Sequence, residues 1–248
     1  MFEFKTDLYK KVDKIQSKSL RKTVREILSQ ADEKFWTDPC SGTGKHHPAE
    51  DQGEAGLVRH LVKATQVFEY EAYRQNFEDY EFDAGMAATI LHDIKKNGIL
   101  WGENTDYSHG VLGYFFIKKF YFSDKTVKKM VMNAVRYHMA PWNTTISNDK
   151  IFEGIKKPEE LLFSYKELNL ERKERTRGMM PSRIEKAVQD ADYWASRENM
   201  SFYPEKSIMP DTNKAKGIRK HDAPEEWVQE ILGFNKLMMF YRNKWDTR

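Results

Sequence analysis

The residues of this chain that could do chemistry are its histidines and the few aspartates that accompany them. Six of the seven histidines fall between His46 and His138, and His92 opens the dipeptide His92-Asp93 in the run AATILHDIKKNG. Burying an imidazole and a carboxylate at the end of so apolar a segment is unfavourable by several kcal/mol unless they are paired or bound to a metal. His60 in GLVRHLVKA, His109 in YSHGVLG and His138 in VRYHMAP stand on similar segments, and QDADYWASR offers Asp190 or Asp192. Imidazole and carboxylate without thiolate suit a catalytic divalent ion: manganese, magnesium, iron, cobalt, nickel or zinc. Such an ion stays Lewis-acidic and poises a bound water to ionise. Cys40 is the only cysteine, which excludes an intrachain disulfide and a cysteine-rich zinc site.

Helices must carry these groups to one point, because no alternating strand pattern longer than a few residues occurs. Leu8, Val12, Ile15, Leu20, Val24, Ile27 and Leu28 recur at helical spacing and predict one amphipathic helix ending near Phe35-Trp36. The stretch TDPCSGTGKHHPAEDQGEAG reads as a long loop. Further helices are expected over about 54–75, 83–96 and 106–119, and from a cap at Ser123-Asp124 to Pro141. Two more should cover 158–168 and the run from Pro181-Ser182 through SRIEKAVQDADYWASR, with a last one over 224–242. The expected fold is all-α, a bundle that converges side chains from distant positions on its interior.

The order His…His-Asp…Asp with two intervening histidines resembles the HD-domain superfamily of metal-dependent phosphohydrolases, over about residues 40–198. The resemblance implies one metal held by His60, His92, Asp93 and a late aspartate. It implies that His109 and His138 bind a second metal or the scissile phosphate, and that Lys96 meets phosphate oxygens. His109 or His138 would protonate the leaving oxygen. The register Ala191-Asp192-X-X-Ala195 favours Asp192 over Asp190 as the late ligand. TGKHHP followed by GEAGLVRH is also similar to a phage and bacterial subgroup with a Gly-Lys-X-His-Pro loop, which would bring His47 and Lys45 to the substrate. A single HD-type domain is expected over 1–248, made of an N-terminal helix (1–39), a catalytic core (40–198) and a C-terminal extension (199–248).

Several other features carry less. A second His-Asp pair, His221-Asp222, lies in a basic stretch with no apolar helix before it, and Asp222 with Glu225 reads as a capping box. Gly-Thr-Gly-Lys lacks the spacing of a P-loop. The basic run Arg172–Arg177 is interleaved with Glu171 and Glu174, as on a solvated face. A net charge of +3 tolerates a phosphorylated ligand without demanding nucleic acid. The N-terminus lacks an apolar signal region, and no apolar run reaches spanning length, so a cytoplasmic protein without a membrane partner is expected. The expected function is hydrolysis of a nucleotide or nucleic-acid phosphoester with one or two metal ions. Attack on the 3′ end of a short single strand, and a non-hydrolysing nucleotide-binding module, stand as alternatives. Oligomeric state is not legible.

Overall fold

A computed structural model describes residues 2–41, 47–98, 102, 105–106, 109–139 and 181–197. Eight α-helices and one 3-10 turn, and no strand, occur among them: α1 (Phe2–Asp13), α2 (Lys18–Ser29), α3 (Glu33–Thr37), the turn Ala49–Asp51, α4 (Gly56–Arg74), α5 (Asp79–Leu91), α6 (His109–Lys118), α7 (Lys125–Tyr137) and α8 (Arg183–Ala195). The all-α expectation holds. Met1–Ser196 forms one compact unit. The expected helices at 158–168 and 224–242, the C-terminal extension, the Arg172–Arg177 run and the His221-Asp222 pair lie outside the described residues. No described helix is long and apolar enough to cross a membrane.

The single long N-terminal helix is replaced by three. Its hydrophobic rhythm is real, since Leu8, Val12, Ile15, Val24 and Ile27 are all fully buried. Periodicity, however, does not register a break that keeps the apolar face in phase. The break comes where Asp83 accepts the backbone N–H groups of Gln16 and Ser17, at 2.7 and 2.8 Å. Ser17 then caps α2 by accepting from Leu20 N, and Asp32 caps α3. The α5 helix likewise starts at Asp79, earlier than Asp83, because Glu78 and Glu81 form a capping box there. It ends at Leu91, and the chain runs on through turns to Gly98, whose φ is +90°.

From Asp83 to Leu91 every residue of α5 is buried. A helix with no polar face must be enclosed, and α4, α7 and α8 all pack on it, with α1 and α2 against it as well. Its two ends are held differently. At the start, Arg183 of α8 grips the Glu81 carboxylate, with Nε donating to Oε1 at 2.7 Å. At the other end stand His92 and Asp93. The α6 and α7 helices meet at Gly110, where a Cβ would stand 2.8 Å from Arg136 O and 3.0 Å from Val135 O. Only glycine fits that approach without a shift of one helix. Replacing Gly110 by alanine is expected to destabilise the fold by about 1–3 kcal/mol, read as a lowered urea midpoint with an unchanged m-value.

Candidate metal centre

Five helices deliver one side chain each or a pair. His60 comes from the middle of α4 and Asp192 from the last turn of α8; His92 and His138 follow the last residues of α5 and α7 as their C-caps. His109 opens α6. Asp93 and Lys96 lie in the turns just after α5. All of these are buried except Asp192, whose side chain is 19 % exposed.

Backbone carbonyls at helix boundaries orient three of the rings. For His92 and His138 the acceptor is one of the last carbonyls of α5 or α7, which a helix leaves without an internal partner. His92 Nδ1 donates to Thr89 O at 2.8 Å, and His138 Nδ1 to Val135 O at 2.7 Å. His109 Nδ1 donates to Asp106 O, three residues earlier, at 2.6 Å. With Nδ1 carrying the proton, each Nε2 is turned inward as the ligand atom.

Inside, the distances are short. His60 Nε2 lies 3.1 Å from Asp192 Oδ1 and 4.0 Å from Asp93 Oδ2. His92 Nε2 lies 3.4 Å from Asp93 Oδ2 and 3.5 Å from Asp192 Oδ1. On the other oxygen of Asp93, His109 Nε2 stands at 2.9 Å and His138 Nε2 at 3.6 Å, while the two Nε2 atoms are 2.9 Å apart. Neither His92 Nε2 nor Asp93 Oδ1 is paired in a well-aligned hydrogen bond, although carboxylate oxygens or a ring nitrogen lie within 3.5 Å of each. Buried polar atoms so crowded with acceptors and so poorly paired suit an ion between them. Ligands about 2.1 Å from an octahedral ion stand about 3.0 Å apart at right angles and about 4.2 Å apart across it. The donor set fits a divalent metal in charge, chemistry and spacing. His60, His92, Asp93 and Asp192 could hold one ion, and Asp93, His109 and His138 a second, with Asp93 common to both.

The electrostatics follow from burial and the neighbours. Burial works against the Asp93 charge, but the Lys96 ammonium, 2.5 Å from Oδ2, and the surrounding histidines hold its carboxyl well below the usual range. Burial also opposes Asp192, and its contacts with His60 and His92 keep it well below that range. His92, against the same desolvation, is lifted to about 10 by Asp93 and Asp192. Burial pulls His60 down, and His138 to about 4.

The structure brings His47 to the edge of this cluster. Its ring lies 4.8 Å from that of His60, and its Nδ1 3.2 Å from Cys40 Sγ. Burial pushes the Cys40 thiol up and His47 down to about 2, so the contact is a neutral thiol–imidazole pair and not a reactive thiolate. Lys45 lies outside the described residues. Asp190 turns away from the centre, with Lys186 Nζ 2.5 Å from its Oδ1. Lys96 is 6 % exposed and already engages Asp93. Sequence reasoning missed Cys40 and the carbonyls of Thr89, Asp106 and Val135. The three-residue spacing before a histidine at a helix boundary is the signal that could have found the carbonyls.

The metal-free His92 is protonated at neutral pH, and an ion must take the lone pair that this proton occupies. Binding should therefore release about one proton, and affinity for Mn²⁺ should rise roughly tenfold per pH unit from 7 until His92 deprotonates near pH 10. His60 and His138 are already neutral there and contribute none. Calorimetry in buffers of different ionisation enthalpy counts the released protons; zero would contradict the assigned state of His92.

The family model of the HD domain matches residues 77–196. The match takes in His92, Asp93, Lys96, His109, His138 and Asp192, and leaves His60 upstream, joined to them by the packing of α4 on α5 and α8 and by its contact with Asp192. No curated protein and no solved structure matches the chain. With its two histidine–aspartate clusters and no strand among the described residues, the chain carries an HD domain, the hallmark of a superfamily of metal-dependent phosphohydrolases.

Proposed function

We propose that the chain hydrolyses a phosphoester of a nucleotide or nucleic acid, with His60, His92, Asp93 and Asp192 as ligands of a first divalent ion and His109 and His138 serving a second ion or the phosphate. The observation that carries this reading is Asp93, whose two oxygens face different groups of histidines within one buried cluster. When bound, the ion supplies Lewis acidity toward the phosphoryl oxygens and lowers the pKa of a water at the site.

The chain's own residues supply the rest. Asp93 and Asp192 stay ionised and so remain acceptors throughout. Lys96 stays cationic beside Asp93, and its charge favours the negative oxygens of a phosphate bound there. The Nε2 atoms of His109 and His138 face each other at 2.9 Å, and each Nδ1 donates to a carbonyl. His109 Nε2 would deliver the proton that the leaving oxygen needs. His47, from the loop ahead of α4, and Lys45 would contact the substrate. A module that binds without hydrolysis has no need of two overlapping ligand groups.

Replacing His92 and Asp93 together by alanine should abolish metal binding and turnover, measured by elemental analysis and phosphate release, while far-UV dichroism keeps the helix content. Full activity in that variant would sink the assignment. Asp192→Ala should lose at least about tenfold in metal affinity, whereas Asp190→Ala, which removes the Lys186 contact, should keep turnover. A panel of nucleotides and short oligonucleotides with Mn²⁺ identifies the substrate. Steep loss of binding with salt marks a polynucleotide, through counterion release, and a shallow slope marks a nucleotide.

A further inference from the structure

Cys40, His47 and His60 make a further donor group beside those of the centre. One ligand atom from each lies within 4.8 Å of the others. Its chemistry differs from theirs, because it holds the chain's only thiol and no carboxylate. Cys40 Sγ stands 3.2 Å from His47 Nδ1 and 3.5 Å from His47 Nε2. The His47 and His60 rings meet edge to face with their centroids 4.8 Å apart. Cys40 is 1 % exposed and His60 has no exposed surface, and His60 Nδ1 is buried without a hydrogen-bond partner.

Backbone contacts hold the three side chains together. Ala55 N donates to Thr37 O at 2.8 Å and Leu57 N to Asp38 O at 3.1 Å, which ties the segment carrying Cys40 to the start of α4. Cys40 N itself donates to Asp51 O at 2.9 Å, and a Cβ at Gly56 would collide with that oxygen and stand 2.9 Å from Cys40 N. His60 lies one turn beyond Gly56 on α4. Gln52 Nε2 donates to His47 O at 2.9 Å and fastens the other side of the loop. Bonds of about 2.3 Å to sulfur and 2.0–2.1 Å to nitrogen set the donors of a tetrahedral ion about 3.3–3.6 Å apart. The Cys40–His47 separations are already close to that spacing, and little movement of His60 closes the set.

Thiolate with imidazole selects a softer ion than the carboxylate-bearing centre does. We propose that Cys40, His47 and His60 form a separate zinc site, with the fourth position of a tetrahedral ion left to water. On binding, the Cys40 thiol releases its proton to solvent and its sulfur bonds the ion. A neutral imidazole has one lone pair to give, so His60 serves either this ion or the first ion of the centre. Zinc beside Cys40 therefore withdraws one ligand from the centre. The inference goes beyond the hydrolytic reading and stands whether or not the chain cleaves a phosphoester.

Co²⁺ is the probe, because it takes zinc's geometry and a thiolate bound to it gives a near-ultraviolet charge-transfer band that carboxylate and imidazole do not. With one cysteine in the chain, the band reports Cys40 alone. Anaerobic addition of Co²⁺ to the wild-type chain should raise the band, and Zn²⁺ should then bleach it. No band overturns the proposal, and a band that survives excess Zn²⁺ overturns zinc as the occupant. This readout needs no variant, so it decides even where a substitution unfolds the chain. His47→Ala and His60→Ala should each weaken the Co²⁺ affinity read from the band about tenfold or more, no less than the loss of an outer partner costs. Unchanged affinity in either variant overturns the ligand set. Asp192→Ala, which weakens the centre, should keep the band; its loss there would make Cys40 an outlying ligand of the first ion and overturn the separate site. A chain that shows the band without hydrolysis keeps this inference and overturns only the enzymatic reading.

Discussion

The structure depends on keeping one carboxylate charged where water is nearly excluded. Asp93 follows a helix whose last nine residues are all buried, and its own exposure is 1 %. A lone carboxylate there would take up a proton. Lys96, one turn on, prevents this, and His92, His109 and His138 face the same group. Every element around the centre is positioned with respect to that charge: α6 and α7 bring imidazoles to one oxygen, while α4 and α8 close the side of the other. The cluster is thus an electrostatic unit before it is a ligand set, and removal of any member leaves the others with a buried charge to balance.

Orientation comes from helix ends. His92, His109 and His138 each sit at a helix boundary, where an upstream carbonyl is available to take a ring proton. Ring direction and protonation are therefore set by backbone that the core already holds in place, at little further entropy cost. His60 differs because it sits mid-helix, where every nearby carbonyl is already bonded within α4. Its Nδ1 is buried without a partner.

Much of this was legible in the sequence, and the part that was not has physical causes. His60, His92, His109 and His138 stood out because histidine is conspicuous on apolar helical segments. The choice of Asp192 over Asp190 could be read from the flanking alanines, and the structure places Asp192 against His60 while Asp190 meets Lys186. The break near Ser17 could not be read, because it depends on Asp83, which is distant in sequence and close only after folding. Lys96 followed from the family resemblance, but its tight engagement with Asp93 is a matter of depth, which the sequence does not encode.

The attachment of α8 has a consequence for how this architecture can diversify. Arg183 fastens its first turn to Glu81, and Gln189 donates to Tyr137 O at 2.9 Å near its middle. Asp192 is thus located by α5 and α7, elements that precede the long segment leading into α8. The register of the last ligand is thereby written into the face of α8 itself, which carries Arg183, Gln189 and Asp192 onto α5, α7 and α4. A change in the number of residues that join α7 to α8 would leave the metal centre in place so long as that face is kept.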